Sequence, residues 1–240
     1  MSPLRSTVIL PAVVVGLATF LVVLIPGTGL PVAVVAGVIV ASTFARVVSG
    51  RAVGVVRRSL NARLALVGEF PRLHNTVGGL CLTHGIDIPE LFVIDSPAGN
   101  AAAMAGREGT SIVLTTGAAD RLGLVELEAL VAHLLVRCGD DGLRTDTTKA
   151  FMGRLAGPRL VATANTGPDR LMQVDFDGAD LTRFPPGMQT ALQALAELGT
   201  EVDAPRATSG LWLLQPDGRT DVGTASHPTV EVRVAALGEC

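Results

Sequence analysis

Apolar residues are distributed along this chain in two different ways. Up to about residue 50 they form near-continuous runs, 8–25 and 31–45, joined by the turn-rich spacer PGTGL. Eighteen helical residues span about 27 Å, enough for a bilayer core. The second run reaches a similar length if it continues into 46–49, with Arg46 snorkelling to the interface. A cleaved signal peptide is the rival for the first run, but no A-x-A-like site follows it and a second apolar run comes within six residues. Residues 1–50 therefore predict a transmembrane helical hairpin. Ala12 and Gly16, and Ala33, Gly37 and Ala41, are small residues at four-residue spacing, suited to close helix contact.

Beyond residue 50 the pattern becomes periodic. Residues 51–82 predict one or two amphipathic helices broken near Pro71, with Leu73, Val77 and Leu80 on one face. Gly85 stops this segment, and 91–94 reads as a short strand. A second strand is expected at 111–115, paired with 101–105 through the turn 106–109. The stretch 124–141, LVELEALVAHLLVRCGDD, has apolar residues at helical spacing. Glu126 and Glu128 lie in its first turns and Arg137 near its end, both suited to the helix dipole. It predicts a mostly buried helix carrying His133. Residues 145–166 read as one helix and a loop, and 187–198 as an amphipathic helix with Met188, Leu192, Leu195 and Leu198 on one face. The expected class is α+β: a helical hairpin over 1–50, then a mainly helical domain with a small β-sheet over 51–240.

Composition adds to the picture. The chain is 48% hydrophobic but only 3% aromatic, with a mean hydropathy of +0.47, more apolar than an average soluble domain. A net charge of −3 argues against a duplex nucleic-acid partner. Cys81, Cys138 and Cys240 form no metal or redox spacing, and their odd number fits a reduced cytosolic compartment. No acid occurs in 1–50, whereas Arg5 precedes the hairpin and Arg46, Arg51, Arg57 and Arg58 follow it. The positive-inside rule then puts both ends in the cytoplasm of a multi-pass inner-membrane protein.

The helix at 124–141 resembles the active-site helix of the HtpX-type membrane zinc metallopeptidases in its rhythm ELE-x-LVAH. Three further stretches carry the resemblance. One has Pro89, then Asn100, Ala101, Ala103 and Gly106, then Val113, Thr115 and Gly117. The second is Arg170–Gly187, with Asp175 and LTRFPP. The third is the end SHPTVEVRVAAL. In the family the helix carries HExxH, in which two His bind zinc and the Glu between them is the base. Here the five residues are His133, Leu134, Leu135, Val136 and Arg137. Leu134 stands for the base, Arg137 for the second His and, counting back from LTRFPP, Leu171 for the third ligand. Asp175 keeps the position that orients the first His. A rival register would use Asp175 or Asp177 as a ligand, at the cost of an insertion or deletion. The resemblance places His227 and Arg233 where active relatives stabilise the oxyanion, although a His before Pro at a helix start is also a capping arrangement. It makes Asn100, Ala101, Ala103 and Gly106 part of a strand that borders the cleft and pairs with extended substrate.

Leucine takes no proton from water, and an arginine that stays cationic ligates no metal. The expectation is a membrane-anchored pseudoprotease that binds no zinc. It would bind or regulate an extended peptide or a membrane-protein partner without hydrolysis. The alternative is an active metalloendopeptidase with a rearranged site drawn from His133, Cys138, Asp175 and His227. A further expectation is that Arg137 replaces the metal's charge and pairs with Asp175.

Overall fold

The computed structural model describes residues 3–27, 29–156, 168–224 and 226–239. The two apolar runs form helix α1 (Pro3–Leu24) and helix α2 (Leu30–Ser59), packed side by side. Their contact is built on the small residues. A methyl group on Gly16 would lie 2.8 Å from Ala41 Cβ, and one on Gly37 would lie 2.8 Å from Gly16 O. Ala12 and Ala33 are buried in the same seam. The outer faces keep Ile9, Val13, Leu17 and Leu21 of α1, and Val34, Val35, Val38 and Ile39 of α2, exposed. Helix α2 is long and apolar enough to cross a membrane, and Pro11–Leu24 is a shorter apolar helix beside it.

Helix α2 does not stop at residue 50. Its polarity changes while its backbone continues, and Val48, Ala52, Val56 and Leu60 are buried at four-residue intervals. Residues 51–59 are thus the last turns of α2 and not a separate amphipathic helix. One rod passes from an apolar exterior into the core of the globular part.

After α2 comes β1 (Arg63–Leu64), a strand too short to show in the sequence pattern. Pro71 opens α3 (Pro71–His84), and Gly85 closes it. Strands β2 (Glu90–Ile94), β3 (Ala101–Ala105) and β4 (Thr110–Thr115) complete a sheet of order β1-β2-β4-β3. The expected β3–β4 hairpin pairs antiparallel, with Ala101 opposite Leu114 and Ala103 opposite Ile112. β2 lies parallel to β4 on its other side, so β3 is an edge strand.

Helix α4 (Thr116–Arg121) is capped by Thr115, whose Oγ1 accepts from Ala118 N at 3.3 Å. Helix α5 (Leu124–Gly139) is the predicted central helix. Residues 129–135 of α5 are buried without a break, because sheet, α3, α7 (Pro168–Thr182) and α8 (Pro185–Glu197) surround it. It ends two residues earlier than its pattern suggests. Asp140 is extended, and its Oδ1 accepts from Gly142 N at 2.8 Å, starting α6 (Asp141–Ala156). Part of the helix and loop expected at 145–166 lies outside the described residues. A 3-10 turn (Arg206–Leu211) leads to the segment 211–214, and α9 (Val230–Leu237) ends the fold. Thr229, not His227, caps α9, its Oγ1 accepting from Val232 N at 3.2 Å.

Candidate functional site: a buried charge constellation along helix α5

Helices α5 and α7 cross at His133 and Gly178. A Cβ at Gly178 would sit 2.9 Å from His133 Cα, so only glycine permits this approach. One turn before Gly178, Asp175 faces His133, with Oδ1 2.9 Å from Nδ1. The imidazole is out of line for a hydrogen bond to that oxygen, and the contact is one of proximity. Both residues are buried.

The directed bonds to Asp175 come from elsewhere. Arg233, on α9, donates from Nε to Oδ2 and from Nη2 to Oδ1, each at 2.7 Å. Its Nη1 donates to Leu213 O at 2.7 Å. Arg233 is 1% exposed, and this fork-on-carboxylate geometry is the strongest an ion pair offers. Burial pushes the Asp175 carboxyl up, but Arg233 and then His133 outweigh it, and the net shift is downward. Burial lowers His133, and Asp175 only partly offsets that, so the ring is neutral near pH 7.

One turn further along α5 lies a second cluster. Arg137 Nη1 donates to Asp140 Oδ2 at 2.6 Å, and Nη2 donates to Asp146 Oδ2 at 2.9 Å and to Gly210 O at 3.3 Å. Arg137 is 4% exposed. Asp140 also accepts from Arg170, at 3.1 Å from Nε and at 2.5 Å from Nη2. Burial raises the Asp140 carboxyl, but Arg170, the Gly142 N–H and Arg137 together hold it below the ordinary range. The expected Arg137–Asp175 pair does not form. Both oxygens of Asp175 serve Arg233, and Arg137 points to the start of α6, where two nearer carboxylates await it.

The remaining positions are apolar or occupied. Leu134 is 1% exposed and Leu171 2%, both packed in the interior. His227 Nε2 lies 3.0 Å from Trp212 O; a carbonyl only accepts, so this nitrogen carries the proton. Its Nδ1 then accepts from Ser226 Oγ at 3.0 Å. Burial lowers the His227 pKa to about 4. Asp177 is exposed and accepts from Gln173 Nε2 at 2.8 Å. Burial pushes the Cys138 thiol up to about 12, which keeps it protonated. Among the described residues no three His, Cys, Asp or Glu side chains are grouped so as to hold a metal, and His133, Cys138, Asp175 and His227 do not converge.

The edge of β3 is covered by the chain itself. Leu213 N donates to Ala101 O at 2.8 Å, and Ala102 bridges to Trp212. At the other end Thr147 Oγ1 accepts from Ala105 N at 3.1 Å. Asn100 ties the same region together: its Nδ2 donates to Thr200 O and Leu214 O, and its Oδ1 accepts from Leu214 N. Asn100, Ala101 and Ala103 are fully buried, and Gly106 is buried at the turn that follows. The sequence marked this strand but not the segment that covers it. Asp146 and Gly178 also escaped the sequence reading. A Gly one turn after Asp175 was the available signal for the helix crossing.

The fold is an α+β domain with a small mixed sheet and a helix-borne His beside an edge-strand hairpin. Proteins named "Protease HtpX homolog" match much of it. That of Dictyoglomus thermophilum is 27% identical over 70% of this chain and 69% of its own length. That of Ligilactobacillus salivarius is 24% identical over 88% of this chain and 85% of its own. A shorter stretch is 35% identical to the Tropheryma whipplei homologue, over 36% of this chain and 30% of its own. No family model matches, and no solved structure matches. This chain is a relative of the HtpX-type peptidases.

Proposed function

We propose that this chain is a membrane-anchored pseudoprotease, which engages a partner without hydrolysing it. The observation that carries the reading is the buried Arg137. The family resemblance puts the second zinc-binding His at this position, and here a guanidinium is fixed there by Asp140 and Asp146. A dication beside it would meet a like charge in a dry setting. Leu134 supplies no base and Leu171 no ligand. Asp175 already accepts two hydrogen bonds from Arg233. Of the donors that zinc needs, His133 alone stands at a ligand position. The residues do not fit the metal, and no hydrolytic step follows from them.

The partner reading narrows in the same way. An extended peptide would add to β3, whose outer edge is taken by Leu213, Trp212 and Thr147. A membrane-protein partner at the α1–α2 hairpin is the better supported choice, with exposed apolar faces on both helices. Both chain ends then lie in the cytoplasm, by the arginines that flank an uncharged loop.

Elemental analysis and a protease assay on the full chain in detergent test the function. We expect no stoichiometric zinc and no cleavage. Leu134→Glu alone should restore neither. Zinc near one per chain, lost in His133→Ala, would overturn the reading.

A further inference from the structure

We propose that a cavity at the foot of the hairpin binds the phosphate of an anionic lipid headgroup. This rests on α1 and α2 entering a bilayer, and is independent of whether the chain cuts peptides.

The cavity, of about 340 Å³, collects arginines from three separate elements: Arg46 of α2, Arg107 of the β3–β4 turn and Arg144 of α6. Ser49 adds a hydroxyl, and no Asp or Glu lines it. Arg107 and Arg144 also border adjoining cavities, and the acids there are Glu90, Glu108, Asp140 and Asp141. All three arginines are exposed. Among the described residues none of them lies within ion-pair distance of a carboxylate, whereas Arg57, Arg63, Arg137, Arg170, Arg219 and Arg233 all do. Converging unpaired cations repel one another, and an anion placed between them relieves that repulsion. The guanidinium fork matches phosphate geometry in two-point contacts.

The framework that holds the three is tight. Gly106 has no room for a side chain: a Cβ there would lie 2.7 Å from Val53 Cγ2, so the turn carrying Arg107 is pressed against α2. Thr147 Oγ1 accepts from Ala105 N at 3.1 Å and fixes α6 to the end of β3. The arginines are thus brought together by packed backbone, not by chance rotamers.

Position selects the ligand's source. Arg46 is the first charge after the apolar face of α2, about two turns beyond the exposed Val38 and Ile39. It stands about 24 Å along the helix from Leu30, at the level where headgroups begin. Basic pockets at this depth on the cytoplasmic side recognise anionic headgroups.

The test uses the full chain in phosphatidylcholine vesicles with and without phosphatidylglycerol, then detergent extraction and mass spectrometry of the retained lipid. We expect phosphatidylglycerol to be retained about tenfold over phosphatidylcholine. The variant Arg46→Gln/Arg107→Gln/Arg144→Gln should lose that preference, with its circular dichroism unchanged because all three side chains are exposed. A control, Arg51→Gln/Arg58→Gln/Arg121→Gln, removes the same charge away from the cavity and should keep it. Equal retention by wild type and the cavity variant would overturn the proposal, as would equal loss in the control. Inorganic phosphate is added to phosphatidylcholine vesicles in a separate arm. If it raises the melting midpoint as much as phosphatidylglycerol does, the source is free phosphate and the lipid assignment fails.

Discussion

The two arginines buried along helix α5 are charged alike and enclosed alike, yet they do different work. Arg233 joins α9 to Asp175 on α7 and to Leu213, so its bonds close loops of 58 and 20 residues. Arg137 takes its carboxylates from three and nine positions away and pins the corner where α5 gives way to α6; its distant bond goes to a backbone oxygen, Gly210 O. Arg233 and Asp175 stand at positions the family resemblance retains, and Arg137 at one it replaces. The first cluster ties together elements far apart in the chain. The second is assembled from carboxylates present at a helix corner. A buried cation is satisfied by whichever carboxylates the backbone delivers, and sequence identity at one position does not choose them.

Removing Arg233 should break this comparison most severely. Arg233→Met leaves Asp175 buried, charged and with only a poorly aligned His133 beside it. The expected cost is roughly 4–5 kcal/mol in denaturant unfolding. Arg233→Met with Asp175→Leu should recover most of that loss, since an apolar pair of similar volume often matches a buried ion pair. If the double variant is as unstable as the single, the pair is not the origin of the cost.

Arg137→Ala comes next, at about 3 kcal/mol, because Asp140 keeps its bonds to Arg170 while Asp146 loses its guanidinium. A cost below about 1 kcal/mol would mark Arg137 as an ordinary surface pair and would merge the two clusters into one.

The smallest effect sharpens the comparison by pH. His227 is neutral and buried against Trp212 O, with its pKa lowered from 6.5 to about 4. The unfolded chain then binds the proton first, so stability is full above pH 6.5 and falls as pH drops towards 4. This one group should cost about 2 kcal/mol at pH 5. His227→Gln should flatten that part of the profile. Asp175, whose pKa is also lowered, contributes fully above the ordinary carboxylate range and loses that contribution as pH falls from there through its depressed folded value. A wild-type profile flat from pH 6.5 to 4 would refute the buried neutral imidazole.

Much of this protein was legible from local pattern. The two apolar runs, the small residues in their seam, the β3–β4 hairpin and the central helix follow from periodicity and side-chain size, properties of neighbours in sequence. The resemblance also singles out Leu134 and Arg137 by their spacing from His133 on one helix, and Leu171 by counting back from LTRFPP, with a rival register left open there. What the tertiary structure alone decided is where long-range partners fall. The continuation of α2 through residue 50 came from burial of Val48, Ala52 and Val56 on a core built by distant residues. The covering of β3 by 212–213 joins segments more than a hundred residues apart. The exchange of Asp175 from Arg137 to Arg233 has the same origin. Long side chains reach several carboxylates from one position, and only the packing of α7 and α9 on α5 settles which one is near enough, and dry enough, to win.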